Sequence, residues 1–306
     1  MTSITVIIPT YGRPAALTKC LEGLAMQTRP ADEVIVVTRR NDQESQGVVR
    51  ASTVAARLVF VETSGVLAAM AEGLLASTSD WVAFTDDDAV ASPTWLSQIE
   101  QLSQNNGVVG VGGRDALEDH GVPRPTTLTL HVGILGRSGR FVGNHHRGTG
   151  PVRSVAMLKG VNCAYDAKFL GIPVGLLGQG AQAHFEVAVG LDLAKHGTLL
   201  YDPQLTVRHA PEDRLDGDRR QRPSKGSIAD VASNAVLACG VQSVWLATCR
   251  TAYSLLIGDA SVPGIVRFLV GISHSDIRLR FLPSLFGTLR GFARVLTGNG
   301  VSFVRR

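Results

Sequence analysis

Over the first 115 residues, short apolar runs rich in β-branched side chains alternate with stretches of helical period. Residues 4–8 (ITVII), 33–37 (EVIVV), 57–61 (RLVFV) and 81–85 (WVAFT) read as strands buried on both faces, because their apolar positions are continuous rather than alternating. Between them, Pro14 suits the first turn of a helix whose Leu17, Cys20, Leu21 and Leu24 share one face. The Ala-rich stretch 64–76 predicts a second helix. Ser92 is expected to cap a third, opened by Pro93 and running to about residue 104, before 108–113 (VVGVGG) rejoins the sheet. Strands separated by crossover helices predict an α/β fold with a mostly parallel twisted sheet and helices on both faces.

The pattern weakens from 115 to 150, where 128–135 (LTLHVGIL) is the one candidate strand. Regularity returns at 154–160. A short helix is expected after Asp166, then a glycine-rich loop at 171–182, a helix from about His184 to Lys195 ended by Gly197, and two strand runs at 198–201 and 205–209. These boundaries divide the chain into an α/β unit at 1–213, in two parts at 1–115 and 116–213, and a helical extension at 214–306.

Composition adds charge asymmetry. The 306 residues carry a formal charge of +4, and residues 261–306 alone hold seven arginines against one aspartate. In that stretch Phe268, Leu269, Phe281, Leu282, Leu285, Phe286, Leu289 and Phe292 are interleaved with the arginines, and Pro263, Pro283 and several glycines are expected to break it into short helices. The mixture suits an anionic membrane surface; with no nucleic-acid motif beside the charge, nucleic acid is not expected as a partner. Val231–Cys249 is an uncharged run of nineteen residues, but Ser233, Asn234, Gln242, Ser243 and Thr248 interrupt it, so a packed or interfacial helix is expected rather than a span. Four scattered cysteines without a Cys-x-x-Cys pair, and an N-terminus without a basic leader, lead to the expectation of a cytoplasmic protein, peripheral on the membrane's inner face.

In parallel sheets, ligands sit beyond the carboxyl ends of the strands. Pro9, Thr10, Tyr11, Gly12 and Arg13 follow the first strand, and Asp86, Asp87 and Asp88 follow the fourth. Three adjacent carboxylates repel one another unless a cation or hydrogen bonds offset the charge, so Asp86 and Asp88 could hold a divalent ion that clamps a diphosphate. An acidic cap on the following helix is the bland reading, weakened by Ser92 already serving there. Glu186 and His184 are titratable candidates for an acid–base role, although a Glu in the first turn of a helix also suits the macrodipole. His209, after a β-branched run, becomes a ligand only if the chain folds it back to the aspartates.

In order, VIIPTYGRP, EVIVV, WVAFTDDD, GVNCAYDAKF, HFEVAVGLDLAKHG and YDPQLTVRH resemble the family 2 glycosyltransferases of GT-A fold, over roughly residues 3–210. The resemblance implies an inverting enzyme that moves a sugar from a nucleoside diphosphate sugar to a hydroxyl acceptor, a lipid-linked glycan among the candidates, in cell-surface polysaccharide or glycolipid synthesis. It implies a divalent cofactor, Mn2+ or Mg2+, held by Asp86, Asp88 and His209, and Glu186 as the catalytic base. The implied substrate-binding set is Pro9, Thr10, Tyr11, Arg13, Asp86, Asp87, Gly160, Asn162 and His184. Where many members carry a base-reading aspartate, this chain has Thr38 and Arg39; where many carry Ala-Arg-Asn, it has Met70 and Ala71, leaving Arg13, Arg39 or Lys159 to meet the diphosphate. Two other readings stay open: a sugar-phosphate nucleotidyltransferase, whose glycine-rich basic loop this chain lacks, and a silent membrane-associated scaffold.

Overall fold

In the computed structural model, which describes residues 2–119, 121–178, 182–212 and 224–306, the expected alternation is present. It runs β1 (Ile4–Pro9), α1 (Pro14–Ala25), β2 (Glu33–Thr38), α2 (Gln43–Ala51), β3 (Ala56–Phe60), α3 (Val66–Ala76), β4 (Trp81–Phe84), β5 (Ala89–Ala91), α4 (Trp95–Ser103) and β6 (Val108–Asp119). Then come β7 (Val122–Pro123), β8 (Ile134–Leu135), β9 (Phe141–Val142), β10 (Arg153–Val155), β11 (Cys163–Asp166), β12 (Ile172–Val174), α5 (Phe185–Leu193) and β13 (Thr198–His209). The C-terminal part is α6 (Lys225–Gly240), α7 (Val244–Leu256), α8 (Ile265–Val270), α9 (Ser275–Leu296) and β14 (Ser302–Val304).

The main sheet has the order β10-β13-β6-β11-β4-β1-β2-β3. β1 is parallel to β2 and β4, β2 to β3, and β6 to β13, whereas β11 lies antiparallel between β4 and β6. Alternation along β1 builds two cores. Ile4, Val6 and Ile8 pack with Leu17, Leu21, Trp95 and Leu96 on one face, and Ile7 packs with Leu67, Met70 and Leu74 on the other.

Several local expectations are corrected. Helix α4 begins at Trp95, and Ser92 does not cap it; the Leu96 N–H donates instead to Gln27 Oε1 at 3.1 Å, a partner 69 residues away. Residues 128–135 yield only the two-residue β8, paired with β9. After Asp166 there is a turn, its carbonyl accepting from Phe169 and Leu170, and no helix. The two runs at 198–201 and 205–209 are one strand, β13, with an irregularity between Asp202 and Thr206. Residues 231–249 divide between α6 and α7, and among the described residues no helix is long and apolar enough to cross a membrane.

The C-terminal part is more closely joined to the α/β unit than expected; the 213/214 boundary itself lies outside the described residues. Pro283 does not break the tail: it lies inside α9, a helix of 22 residues. α9 turns its small residues Ser284, Gly287, Thr288 and Gly291 onto α6. A Cβ on Gly287 would stand 2.1 Å from the Ala229 carbonyl oxygen and one on Gly291 2.6 Å from that of Ser233, so glycine is what permits this approach. β14 then pairs with β12, Arg305 reaches Asp192 at 2.5 Å, and Arg306 donates to the Ser77 and Ser79 carbonyls at 3.2 and 2.9 Å. Gly287→Val is expected to lower stability by about 1–3 kcal/mol, the usual cost of overpacking, seen as a lower Tm by circular dichroism. An unchanged Tm would mean that α9 is not closely docked in solution.

Candidate active site

The site forms where β4 ends and the chain emits three aspartates. β5 pairs antiparallel with β13, setting His209 opposite Ala89, the residue after Asp88. β13 also runs parallel to β6, which brings Asp115 beside the same imidazole. His209 Nε2 lies 3.3 Å from Asp88 Oδ1, and Nδ1 lies 3.6 Å from Asp115 Oδ2. Thus the fold-back that the sequence alone left conditional is made by two strand pairings.

The three aspartates do different work. Asp87 is fully buried, accepts from the Thr10 hydroxyl at 2.7 Å and pairs with Arg13 at 3.1 Å. Burial pushes its carboxyl up to about 7 against the pull of Arg13. Arg13 also reaches Asp88 at 2.9 Å, so this arginine is committed to the acidic cluster rather than standing free for a diphosphate. Asp86 and Asp88 are half-buried and, with His209, each offer one ligand atom within 4.8 Å of the others. Burial, then Asp88, raises Asp86. Burial would also raise Asp88, but His209, the Glu212 N–H and Arg13 hold it below the usual carboxylate range. Two carboxylates and an imidazole with no well-formed hydrogen bond on Asp88 Oδ1 or His209 Nδ1 fit a hard divalent cation.

These groups border a cavity of about 460 Å³ that Pro9, Thr10, Tyr11, Arg13, Gly160, Glu186 and His209 also line. Arg39, stacked 4.1 Å from the Tyr11 ring centre, and Met70 lie on its wall. Two residues expected there are elsewhere. Asn162 is fully buried and used internally, accepting from Trp95 Nε1 at 2.8 Å and donating to the Arg114 and Leu205 carbonyls, so it shapes the turn behind the cavity instead of facing it. Asp87 is likewise a buried anchor and not part of the lining.

A second cavity, of about 550 Å³, adjoins the first. His184 lines it, with φ of 70°, its ring 4.8 Å from that of Phe141, and burial lowers its pKa to about 4. His146, Lys159 and Glu186 border both cavities. Burial raises the Glu186 carboxyl above the usual carboxylate range. Sequence reasoning missed His146 and Asp115. Asp115, fully buried and bound to Lys159 as well as His209, carries no local signal, since only the β6–β13 register explains it.

With this geometry in place, the class is defined: the chain belongs to the glycosyltransferase like family 2, whose model matches residues 2–226. It is a nucleotide-sugar-dependent glycosyltransferase with a GT-A-like fold and a DxD-like group at Asp86 and Asp88. No curated protein matches its sequence. Among solved structures it is similar to S. aureus TarS 1–349 in complex with UDP-GlcNAc, at TM-score 0.63 and 14% identity over 96% of this chain and 81% of that one. It is also similar to a mannosyltransferase from Pyrobaculum calidifontis in complex with GDP-Man and Mn2+, at TM-score 0.52 and 16% identity over 96% and 87%. A third is glucosyl-3-phosphoglycerate synthase from Mycobacterium tuberculosis in complex with Mn2+, UDP and glucosyl-3-phosphoglycerate, at 0.51 and 18% over 76% and 80%.

The imidazole pair predicts a pH dependence. Burial would lower His209, but Asp115 and Asp88 outweigh it and raise it from 6.5 to about 9. Between these values the folded state binds more protons than the unfolded one, so stability falls as pH rises. In metal-free protein this contribution is expected to be complete below pH 6.5, to be lost through about pH 9, and to reach up to about 3 kcal/mol. Thermal unfolding across this range, with His209→Gln as the flat control, checks it; parallel curves would refute the ion-pair assignment.

Proposed function

We propose that the chain is an inverting transferase acting at an anionic membrane surface, with Asp86, Asp88 and His209 holding Mn2+ or Mg2+ and Glu186 as base. The observation that carries this reading is that Glu186 borders both cavities, one of which contains the acidic cluster. The nucleotide sugar occupies the first cavity. When bound, the cation supplies positive charge to the diphosphate leaving group. Arg39, which lines that cavity, adds charge where Met70 supplies none. The acceptor hydroxyl enters from the second cavity and gives its proton to the Glu186 carboxylate. Its oxygen bonds to the anomeric carbon as the bond from that carbon to the diphosphate breaks, and configuration inverts. The GDP-Man and UDP-GlcNAc of the similar structures support a nucleotide-sugar donor but leave its base and sugar open. Glu186→Gln is expected to retain donor affinity by calorimetry while turnover falls on the order of 10²–10⁴-fold. Donor binding that weakens in proportion to rate would make Glu186 a pocket residue instead.

Membrane contact is supported by the outer side of the C-terminal helices. Leu279, Leu282, Phe286, Leu289 and Leu296 recur at helical spacing along α9 and are exposed, Leu282 at 70%. Val266, Leu269 and Val270 of α8 and Trp245 of α7, 74% exposed, are further apolar side chains left exposed by the C-terminal helices. Arg290, Arg294, Arg305 and Arg306 are taken up by internal partners, which leaves Arg267, Arg278 and Arg280 as the cationic complement. Each adds about 1 kcal/mol at an anionic surface. The full chain is therefore expected to sediment with phosphatidylglycerol-containing vesicles and to release as salt rises, and Leu282→Glu with Phe286→Glu to abolish sedimentation. A variant that sediments like the wild type would exclude this face. Attachment here fits a cytoplasmic, peripheral enzyme using a lipid-linked acceptor in cell-surface polysaccharide or glycolipid synthesis.

A further inference from the structure

The second cavity has one wall that comes from neither half of the α/β unit. Asp259, Ala260 and Ser261, in the loop between α7 and α8, face Phe141, Asn144, His146 and Glu186. The loop is tightly closed: Asp259 N–H donates to the Val262 carbonyl at 3.0 Å, Gly264 N–H to that of Ile257 at 3.1 Å, and the Tyr253 hydroxyl to that of Gly258 at 3.0 Å. Ser261 Oγ donates to Asp259 Oδ1 at 3.1 Å.

Behind this wall stands Arg250, whose side chain is 1% exposed. A buried guanidinium is costly unless its donors are used. Here Nη1 donates to the Gly139 carbonyl at 3.2 Å, and Nη2 lies 3.4 Å from Asp259 Oδ2. Its plane covers the Phe141 ring at 4.3 Å and the Tyr253 ring at 5.4 Å. One arginine of α7 therefore ties the extension's loop to the β8–β9 hairpin, with His184 against the same Phe141. The C-terminal helices thus contribute to this cavity's lining.

The wall's chemistry selects. Its carboxylates are Glu186 and Asp259. Among the described residues, the lining cation Lys159 is held by Asp115, and Arg250 behind the wall is taken up as described. Burial lowers all three lining imidazoles, His145, His146 and His184, and His145 Nε2 is held 3.0 Å from the Met157 carbonyl oxygen. An anionic acceptor would meet the Glu186 carboxylate without a free cation among the described lining residues, Asp259 and Arg250 being paired with each other, whereas a neutral polyol would find carboxylate, amide and imidazole partners beside an aromatic ring.

We infer that the loop Asp259–Ala260–Ser261, held by Arg250 as a positioning residue, forms the recognition wall for a neutral, hydroxyl-rich saccharide acceptor. This rests on the transferase reading above. The test uses the full chain, Mn2+ and radiolabelled nucleotide sugars, with a panel of neutral alkyl glycosides and the matching sugar phosphates as acceptors. Labelled product is expected on neutral glycosides, with Asp259→Ala raising the acceptor KM at least tenfold while the donor KM stays unchanged, and with a lower Tm because the buried Arg250 loses its partner. Asp259→Asn is expected to recover part of the loss, because it keeps the acceptor oxygen but not the charge. Product confined to sugar phosphates, donor hydrolysis with no glycoside product, or an unchanged acceptor KM in Asp259→Ala would each overturn the inference. Absence of any nucleotide-sugar binding would instead overturn the transferase reading on which it stands.

Discussion

Repulsion among Asp86, Asp87 and Asp88 is the constraint around which the rest is arranged. Three carboxylates at the mouth of a buried strand cannot all stay ionised without nearby positive charge. The chain answers from three directions: Arg13 from the loop after β1, His209 from the end of β13, and Lys159, through Asp115, from the turn before β11. Each brings a different part of the sheet to one point, so the charge balance and the topology specify one another. Asp87, held by Thr10 and Arg13, anchors the cluster and leaves Asp86 and Asp88 toward the cavity.

The same reasoning explains why the C-terminal region does not behave as an appended tail. Its helices pack through small residues, a geometry that leaves the larger apolar side chains of α9 on the outside. The two terminal arginines satisfy a carboxylate and three backbone carbonyls in the α/β unit. Removing residues 261–306 would uncover α6, unpair β12 and orphan those groups, so charge substitutions on the outer face separate adhesion from folding where truncation would not.

The fold was legible where burial is continuous. β1, β2, β4, α1 and α3 follow from apolar runs and helical spacing because both faces of these strands are covered, whereas β3, expected to be buried on both faces, lies at the sheet edge with Arg57 exposed and its other residues only half-buried. Helix α2 was missed since QESQGVVRA buries only Ser45, Gln46 and Val49, yet its N-cap was readable: Asp42 accepts from the Ser45 N–H at 3.2 Å. α4 shows the opposite failure, a local cap signal at Ser92 overridden by Gln27, which no local rule could supply. For the site, Asp86, Asp88 and Glu186 stand at strand and helix ends where a sequence reader looks first, and Asp115 and the Arg250–Asp259 pair stand where only tertiary pairing puts them. Asn162 was drawn to the cavity by its motif, but a side chain with three internal partners has no free group to offer a ligand.

The two proposed roles of the extension meet in one short segment. Leu256 and Ile257 precede the Asp259–Ser261 wall, and Ile265, Val266 and Leu269 follow it, all exposed. The hydrogen bond from Gly264 to the Ile257 carbonyl closes the base of this loop, so its polar tip faces the cavity while exposed apolar residues stand at both its ends. An acceptor with a saccharide head and an apolar tail matches that division of surface along its length. On this view Arg250 has a reason to be buried: it fixes the polar tip against Phe141, so that a head group delivered at the membrane meets Glu186 in a cavity already formed rather than one assembled on arrival.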